Sequence, residues 1–351
     1  MEIISSKISR EVLYSSIESD IETIRYKVKV SENIPIAIER RRLPGESGKA
    51  FIFAVHGFAQ NRHTWHLPQI SFANYLAANG YEFISIDLRG TGLSRDLGAP
   101  PPVSLEDYRA DVIGTLNFVL RKIVEGAPLF LFGHSLGGIV CFTVAPEFKR
   151  SLSGVVSFCA PYRFKEAFYL KFIPPYLLEK AAEVFESQAD APFHTRRFAR
   201  HLAENLNLYN NPFFTLPFSS WETSNMEDDM LKSRLSEGFD TTSGPILAAL
   251  VRFAVKNRIQ IDGDGAPYDE NFERLNLPLY ICAADNDKLA PKETVEPAYA
   301  NSLSEDKTYR LFGGHRDKAS FGHIDIILGK ASPKIVWPEI LDWLDNRSGG
   351  G

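Results

Sequence analysis

The sequence predicts an α/β fold: a mostly parallel eight-stranded sheet with helices on both faces and a helical cap inserted after the sixth strand. Three observations predict it. Short apolar runs alternate with helix-length segments over residues 24–160, the rhythm of successive βα units. The same rhythm returns over residues 277–344. Between them, residues 161–275 hold long helical segments, many aromatics and few strand-like runs. The chain thus divides into a first core part (1–160), a cap (161–275), a second core part (276–347) and a flexible glycine tail (348–351).

The elements follow in order. Residues 24–30 and 35–41 read as a hairpin around the polar Ser31-Glu32-Asn33. Residues 50–56 form a continuous apolar run, as in a parallel strand covered on both faces. A helix is predicted over 65–79, stopped by Gly80, and then a strand over 81–86. Ser104 caps a helix with an acidic first turn. Its apolar stripe is Leu105, Tyr108, Val112, Leu116, Val119 and Ile123. Strands at 128–132 and 154–159 flank an apolar helix at 139–145. The cap offers helices at 176–187, 195–206 and 244–256. A strand at 277–283, a helix near 292–300 and a strand at 307–312 precede the last helix. That helix opens on Ser332-Pro333, a serine cap with proline at its first position. It carries Ile335, Val336, Ile340, Leu341, Trp343 and Leu344.

Composition narrows the function classes. The chain is 44% apolar and 24% charged, as globular proteins are. A net charge of −5 leaves no basic surface to track phosphates, so nucleic acid is not an expected partner. Cys141, Cys159 and Cys282 all lie in apolar segments and read as reduced thiols. Residues 1–20 alternate charged and apolar residues and lack the apolar core of a secretory leader. No window makes a clean transmembrane segment. The expectation is a cytoplasmic protein; composition leaves the oligomeric state open.

The chemistry concentrates at Gly133-His134-Ser135-Leu136-Gly137, a G-x-S-x-G between a predicted strand and a predicted helix. That context holds a serine hydroxyl up on a sharp turn, and the glycines let the backbones pass. Ser135 is the candidate nucleophile. It needs a base, a group to orient the base, and donors for an oxyanion. The acid belongs after the strand at 277–283, where Asp285 and Asp287 compete. Asp287 is preferred because Lys288-Leu289-Ala290-Pro291 after it resembles the D-x-x-x-P ending of the acid loop in folds built on such a serine elbow, and Asp285 then caps local N–H groups. The base belongs after the last strand. His323 is preferred over His315 because its loop leads into the terminal helix, whereas His315 sits in a polar surface loop. The oxyanion donors are the N–H groups of Leu136 and of Phe58, the latter beside Gly57. His56 reads as a strut under that loop.

Four motifs carry a family resemblance: His56-Gly57-Phe58, Asp87-Leu88-Arg89-Gly90-Thr91-Gly92-Leu93-Ser94, Gly133 through Gly137, and the Asp287/His323 pair. On these the chain resembles the α/β-hydrolase superfamily from about residue 35 to the terminal helix. The block Gly322-His323-Ile324-Asp325-Ile326-Ile327-Leu328-Gly329 looks like a lipase- and polyhydroxyalkanoate-synthase-like branch. There the motif histidine is the base, which implies His323. The synthases use a cysteine nucleophile, so Ser135 favours hydrolysis or simple acyl transfer. The family's epoxide hydrolases and haloalkane dehalogenases use aspartate at the elbow, and Ser135 argues against both.

The resulting expectation is a cofactor-free serine hydrolase acting on a small-molecule carboxylic ester with an apolar acyl or alcohol part. Thioesterase, amidase and acyltransferase chemistry can use the same triad. A non-catalytic ligand-binding member of the fold is the alternative of a different class. Asp262-Gly263-Asp264-Gly265 lacks the later ligands of a calcium loop and reads as a tight turn, so no metal is expected. Cap aromatics such as Phe164, Phe168, Tyr169, Phe172, Phe198, Phe213, Phe214, Phe218 and Trp221 hold the cap together or roof the pocket.

Overall fold

The computed structural model describes residues 2–124, 126–164, 173–187, 192–209, 220–259 and 268–349. In chain order its strands are β1 (Glu2–Tyr14), β2 (Ile17–Lys29), β3 (Pro35–Arg42), β4 (Ala50–Val55), β5 (His66–Leu67), β6 (Ile70–Ser71), β7 (Tyr81–Asp87), β8 (Leu129–His134) and β9 (Gly154–Phe158). They continue with β10 (Pro192–Phe193), β11 (Thr242–Ser243), β12 (Leu279–Ala284) and β13 (Lys307–Phe312). Strands β10 and β11 pair with each other. The rest form an eleven-stranded sheet in the order β13-β12-β9-β8-β4-β7-β3-β2-β1-β6-β5. From β13 to β7 every pairing is parallel; from β7 through β3 and β2 to β1 every pairing is antiparallel.

All eight strands predicted from the sequence are present. The sheet is three strands wider because the N-terminus adds β1 and the segment before helix Phe72–Ala78 adds β5 and β6; β2 is also longer than predicted, beginning at Ile17. The charged–apolar alternation over residues 1–20 is the two-residue period of a strand. Most of β1 is exposed, so no apolar run marks it. The helix predicted over 65–79 is only Phe72–Ala78. Pro68 has no amide hydrogen, β5 and β6 form around it, and the Ser71 hydroxyl accepts from Asn74 N–H at 3.0 Å to start the helix.

Strands β4, β7, β8, β9 and β12 are buried along their whole length. Helices Leu105–Lys122 and Leu136–Val144 cover one face, with Leu105, Tyr108, Val112, Leu116 and Val119 buried as their spacing predicts. Helices Phe72–Ala78 and Ser332–Ser348 cover the other, where Trp337 packs on Phe72 and Trp343 on Phe130. Ser332 does not cap the last helix; its hydroxyl donates to the Asp325 carbonyl at 2.8 Å. Ser348 closes that helix instead of opening a tail, donating to the Leu344 carbonyl at 2.8 Å. Gly350 and Gly351 lie outside the described residues. All three cysteines are buried and unbridged.

Between β9 and β12 the described residues form helices Pro175–Ser187, Thr195–Glu204, Leu206–Tyr209, Asp228–Glu237, Gly244–Lys256 and Tyr268–Glu273. The helix predicted over 195–206 breaks at Asn205. Phe168, Tyr169, Phe172, Phe213, Phe214, Phe218 and the 262–265 turn lie outside the described residues. Among the described residues no helix is long and apolar enough to cross a membrane.

The tightest packing lies where β8 meets the helix after it. A Cβ on Gly137 would stand 2.3 Å from the Val55 carbonyl oxygen and 2.4 Å from that of His56. Both are backbone atoms of a buried strand end and cannot swing aside. Gly137→Ala is therefore expected to destabilise the protein by about 3 kcal/mol or more, read as a fall in the urea midpoint. An unchanged midpoint contradicts this packing.

Candidate active site

Ser135 joins β8 to helix Leu136–Val144 with φ 54° and ψ −124°. A non-glycine residue adopts this only where its surroundings impose it, at about 1–3 kcal/mol. Glycines supply those surroundings. A Cβ on Gly133 would lie 2.5 Å from Gly138 Cα, and one on Gly138 would lie 2.4 Å from Ala160 Cβ. Gly133 and Gly137 thus do the steric work the motif assigns them, and Gly138 joins them.

Asp287 and His323 meet, although 36 residues separate them. The imidazole Nδ1–H donates to Asp287 Oδ2 at 2.7 Å. The other carboxylate oxygen accepts from the N–H groups of Leu289 and Ala290, each at 2.8 Å. The turn after the aspartate therefore fixes the carboxylate, which fixes the ring. With Nδ1 donating, the neutral ring leaves its Nε2 lone pair free to take a proton. Asp285 is held elsewhere, accepting from Phe321 N–H at 2.8 Å and the Ser320 hydroxyl at 3.0 Å. His315 lies exposed in the turn Gly314–Asp317.

Gly57 brings the backbone of its loop hard against the serine: a Cβ there would lie 3.1 Å from Ser135 Cβ. Phe58 follows it. Phe58, Ser135, Leu136 and His323 line one cavity of about 270 Å³, walled also by Ile139, Phe164, Leu178 and Leu250. Its lining is apolar away from the serine and histidine, which suits a hydrocarbon chain.

Several supporting residues escaped the sequence. His134, the variable position of the G-x-S-x-G, is wholly buried, and its Nε2 lies 2.9 Å from the His323 carbonyl oxygen. Nε2 must be the donor there. Burial and the neighbouring His323 hold its pKa well below the usual histidine value, so it is neutral. Gln60 lies beside its other nitrogen, at 3.2 Å. The Gln60 carbonyl accepts from the Thr64 hydroxyl at 2.8 Å and from Arg234 Nη2 at 3.1 Å. Arg234 reaches in from helix Asp228–Glu237; burial lowers it to about 9, so it stays cationic at neutral pH. His56 is a strut, its Nε2 accepting from Leu88 N–H at 3.1 Å and its Nδ1 donating to the Gly57 carbonyl at 2.9 Å.

Asp325, fully buried, pins the histidine loop. It accepts from Gly322 N–H at 3.0 Å, Glu222 N–H at 3.0 Å and Asn225 Nδ2 at 2.7 Å. In the sequence it is one letter of the block around His323, and nothing marks its partners a hundred residues away. Among the described residues, Cys159, Asp287 and His323 bring ligand-type atoms within 4.8 Å of one another. Burial and Asp287 push the Cys159 thiol well above its usual pKa, and a protonated thiol is a poor metal ligand.

Asp325→Ala strands three donors, of which the Gly322 N–H and the Asn225 amide are buried. It is expected to destabilise the protein by about 3 kcal/mol or more, measured by urea unfolding. A loss below about 0.5 kcal/mol, the range of an ordinary surface substitution, contradicts the anchoring role.

A family model described as alpha/beta hydrolase fold matches residues 51–317. Epoxide hydrolase 3 of Xenopus tropicalis is 27% identical over 147 residues, 41% of this chain and 35% of that protein. Monoglyceride lipase of Saccharomyces cerevisiae is 31% identical over 112 residues, 30% of this chain and 33% of that protein. The chain thus matches about a third of the length of these curated relatives. Among solved structures, a thermostable carboxyl esterase from Bacillus coagulans superposes with a TM-score of 0.64 at 15% identity, covering 93% of this chain and 99% of that one. That likeness speaks for the fold alone. Because the family model runs over more than half of the residues, through both the serine elbow and Asp287, the chain belongs to the α/β-hydrolase-fold family.

Proposed function

We propose that this protein is a serine hydrolase that cleaves carboxylic esters with an apolar acyl or alcohol group through an acyl-enzyme. One observation carries the reading: the 2.7 Å bond between His323 and Asp287, in a histidine that shares an apolar cavity with the strained Ser135. Ser135 Oγ attacks the ester carbonyl carbon while His323 Nε2 takes its proton. Asp287 holds the imidazolium that forms. The N–H groups of Phe58 and Leu136 donate to the oxyanion. Collapse of the tetrahedral intermediate expels the alkoxide, which takes the proton from His323. Water then attacks the acyl-enzyme with His323 again as base, and the carboxylic acid leaves.

The helices between β9 and β12 serve in this reading as a cap, since Phe164, Leu178 and Leu250 wall the cavity. The relatives named as epoxide hydrolases favour another reaction. That chemistry begins from a carboxylate nucleophile, and Ser135 offers a hydroxyl, so the lipase and esterase likenesses are the ones we follow.

Ser135→Ala is expected to lower kcat/KM for p-nitrophenyl butyrate by at least about 10³-fold with an unchanged circular dichroism spectrum. His323→Ala and Asp287→Asn should fall severely too, while the exposed His315→Ala stays close to wild type. Ser135→Ala within tenfold of wild type overturns the nucleophile; a dead His315 variant beside an active His323 variant overturns the base.

If the cavity at Ser135 holds the acyl chain, kcat/KM should climb about fourfold per added methylene until the cavity fills. Steady-state rates for p-nitrophenyl acetate through octanoate test this. A maximum at acetate contradicts an apolar acyl site.

A further inference from the structure

A second cavity of about 270 Å³ also meets Phe58, and is lined by Phe58, Ala199, Leu202, Trp221, Leu235 and Phe239 among others. Among the described residues, Phe58 alone lines both cavities. Among the described residues that line the second cavity, the only side-chain polar groups besides the Trp221 indole are the hydroxyls of Thr195 and Ser220, and Thr195 already donates to the Asp240 carbonyl. No charged side chain is among them. A sugar or a charged head group would find almost no partners there, whereas a hydrocarbon would lose only water.

The second cavity is also tied to the base. Ser220 and Trp221 line it, and the Ser220 carbonyl accepts from Ile324 N–H, next to His323, at 2.9 Å. A Cβ on Gly322 would lie 2.8 Å from the Trp221 carbonyl carbon. The first cavity, which Ser135 and His323 themselves line, runs along the helix that starts at Leu136, past Ile139. An ester carbonyl held by Phe58 N–H and Leu136 N–H sends its two substituents apart. The alkoxy oxygen must face His323 to be protonated as it leaves.

We propose, resting on the serine-hydrolase reading above, that the second cavity receives the alcohol part of the substrate, and that the preferred substrates are esters with hydrocarbon on both sides of the carbonyl. The acyl chain lies against Ile139 and Leu250, and the alcohol chain passes Phe58 to lie against Leu202, Trp221 and Leu235. The two arms are selected independently.

The test is a matrix of alkyl esters, ethyl through hexyl in the alcohol and acetyl through hexanoyl in the acyl part, with acid release followed in a pH-stat. From ethyl onward the alcohols leave with nearly equal intrinsic ease, so a trend in that series reports binding. For wild type, kcat/KM at fixed butyryl should rise about fourfold per alcohol methylene over at least two carbons. Ala199→Phe, which fills the second cavity, should flatten the alcohol series while the acyl series of ethyl esters still climbs. Phe198→Ala, at the exposed mouth of the same cavity, should lower the slope of the alcohol series without the risk of overpacking. A flat alcohol series in wild type overturns the proposal, as does a pair of variants that change the acyl series and spare the alcohol series. Failure of the underlying reading looks different: no ester in the matrix is turned over and no serine-directed phosphonate attaches.

Discussion

The site depends on the close approach between the end of β8, the helix after it and the end of β4. Ser135 holds φ 54° and ψ −124° because backbone leaves no room for a Cβ on Gly133 or Gly137, and the Ala160 side chain leaves none on Gly138. Relaxing that turn would turn the serine hydroxyl away and move the N–H of Leu136 with it. The parallel strands from β13 to β7 bring the other loops to the same edge. Asp287 follows β12, His323 comes after β13, and Phe58 follows β4. Fully buried strands make this scaffold stiff, so a serine under strain can be kept in place.

A second layer keeps the histidine in place. Its ring is oriented by Asp287, its carbonyl by His134, and the loop around it by Asp325. Separately, Arg234 of helix Asp228–Glu237 donates to Gln60, on the loop after β4. Helices between β9 and β12 also wall the two cavities that share Phe58.

The parts legible in the sequence were those whose physics is local. A turn that needs glycine announces itself as G-x-S-x-G. A D-x-x-x-P turn marks Asp287, because its carboxylate must accept two N–H groups of that same turn. Buried parallel strands announce themselves as unbroken apolar runs. What stayed hidden depends on distant partners. Strand β1 is exposed and gains order from pairing with β2. Pro68 divides the segment at 65–79 because β6 can pair with Tyr14 of β1. Asp325, His134 and Arg234 are unremarkable letters until the fold brings Asn225, His323 and Gln60 to them. The second cavity is assembled from two helices and three loop segments, most of them far apart in the chain, so no local pattern foretells it.

The central claim is that Ser135 is the atom that attacks. The most direct measurement is to react the wild-type protein with a small fluorophosphonate, take its intact mass, and map the adduct by peptide mass spectrometry. The account predicts one phosphonyl group per chain, on the peptide that carries Ser135 and on that residue. An unmodified protein, or an adduct on another residue while Ser135 stays free, would contradict it.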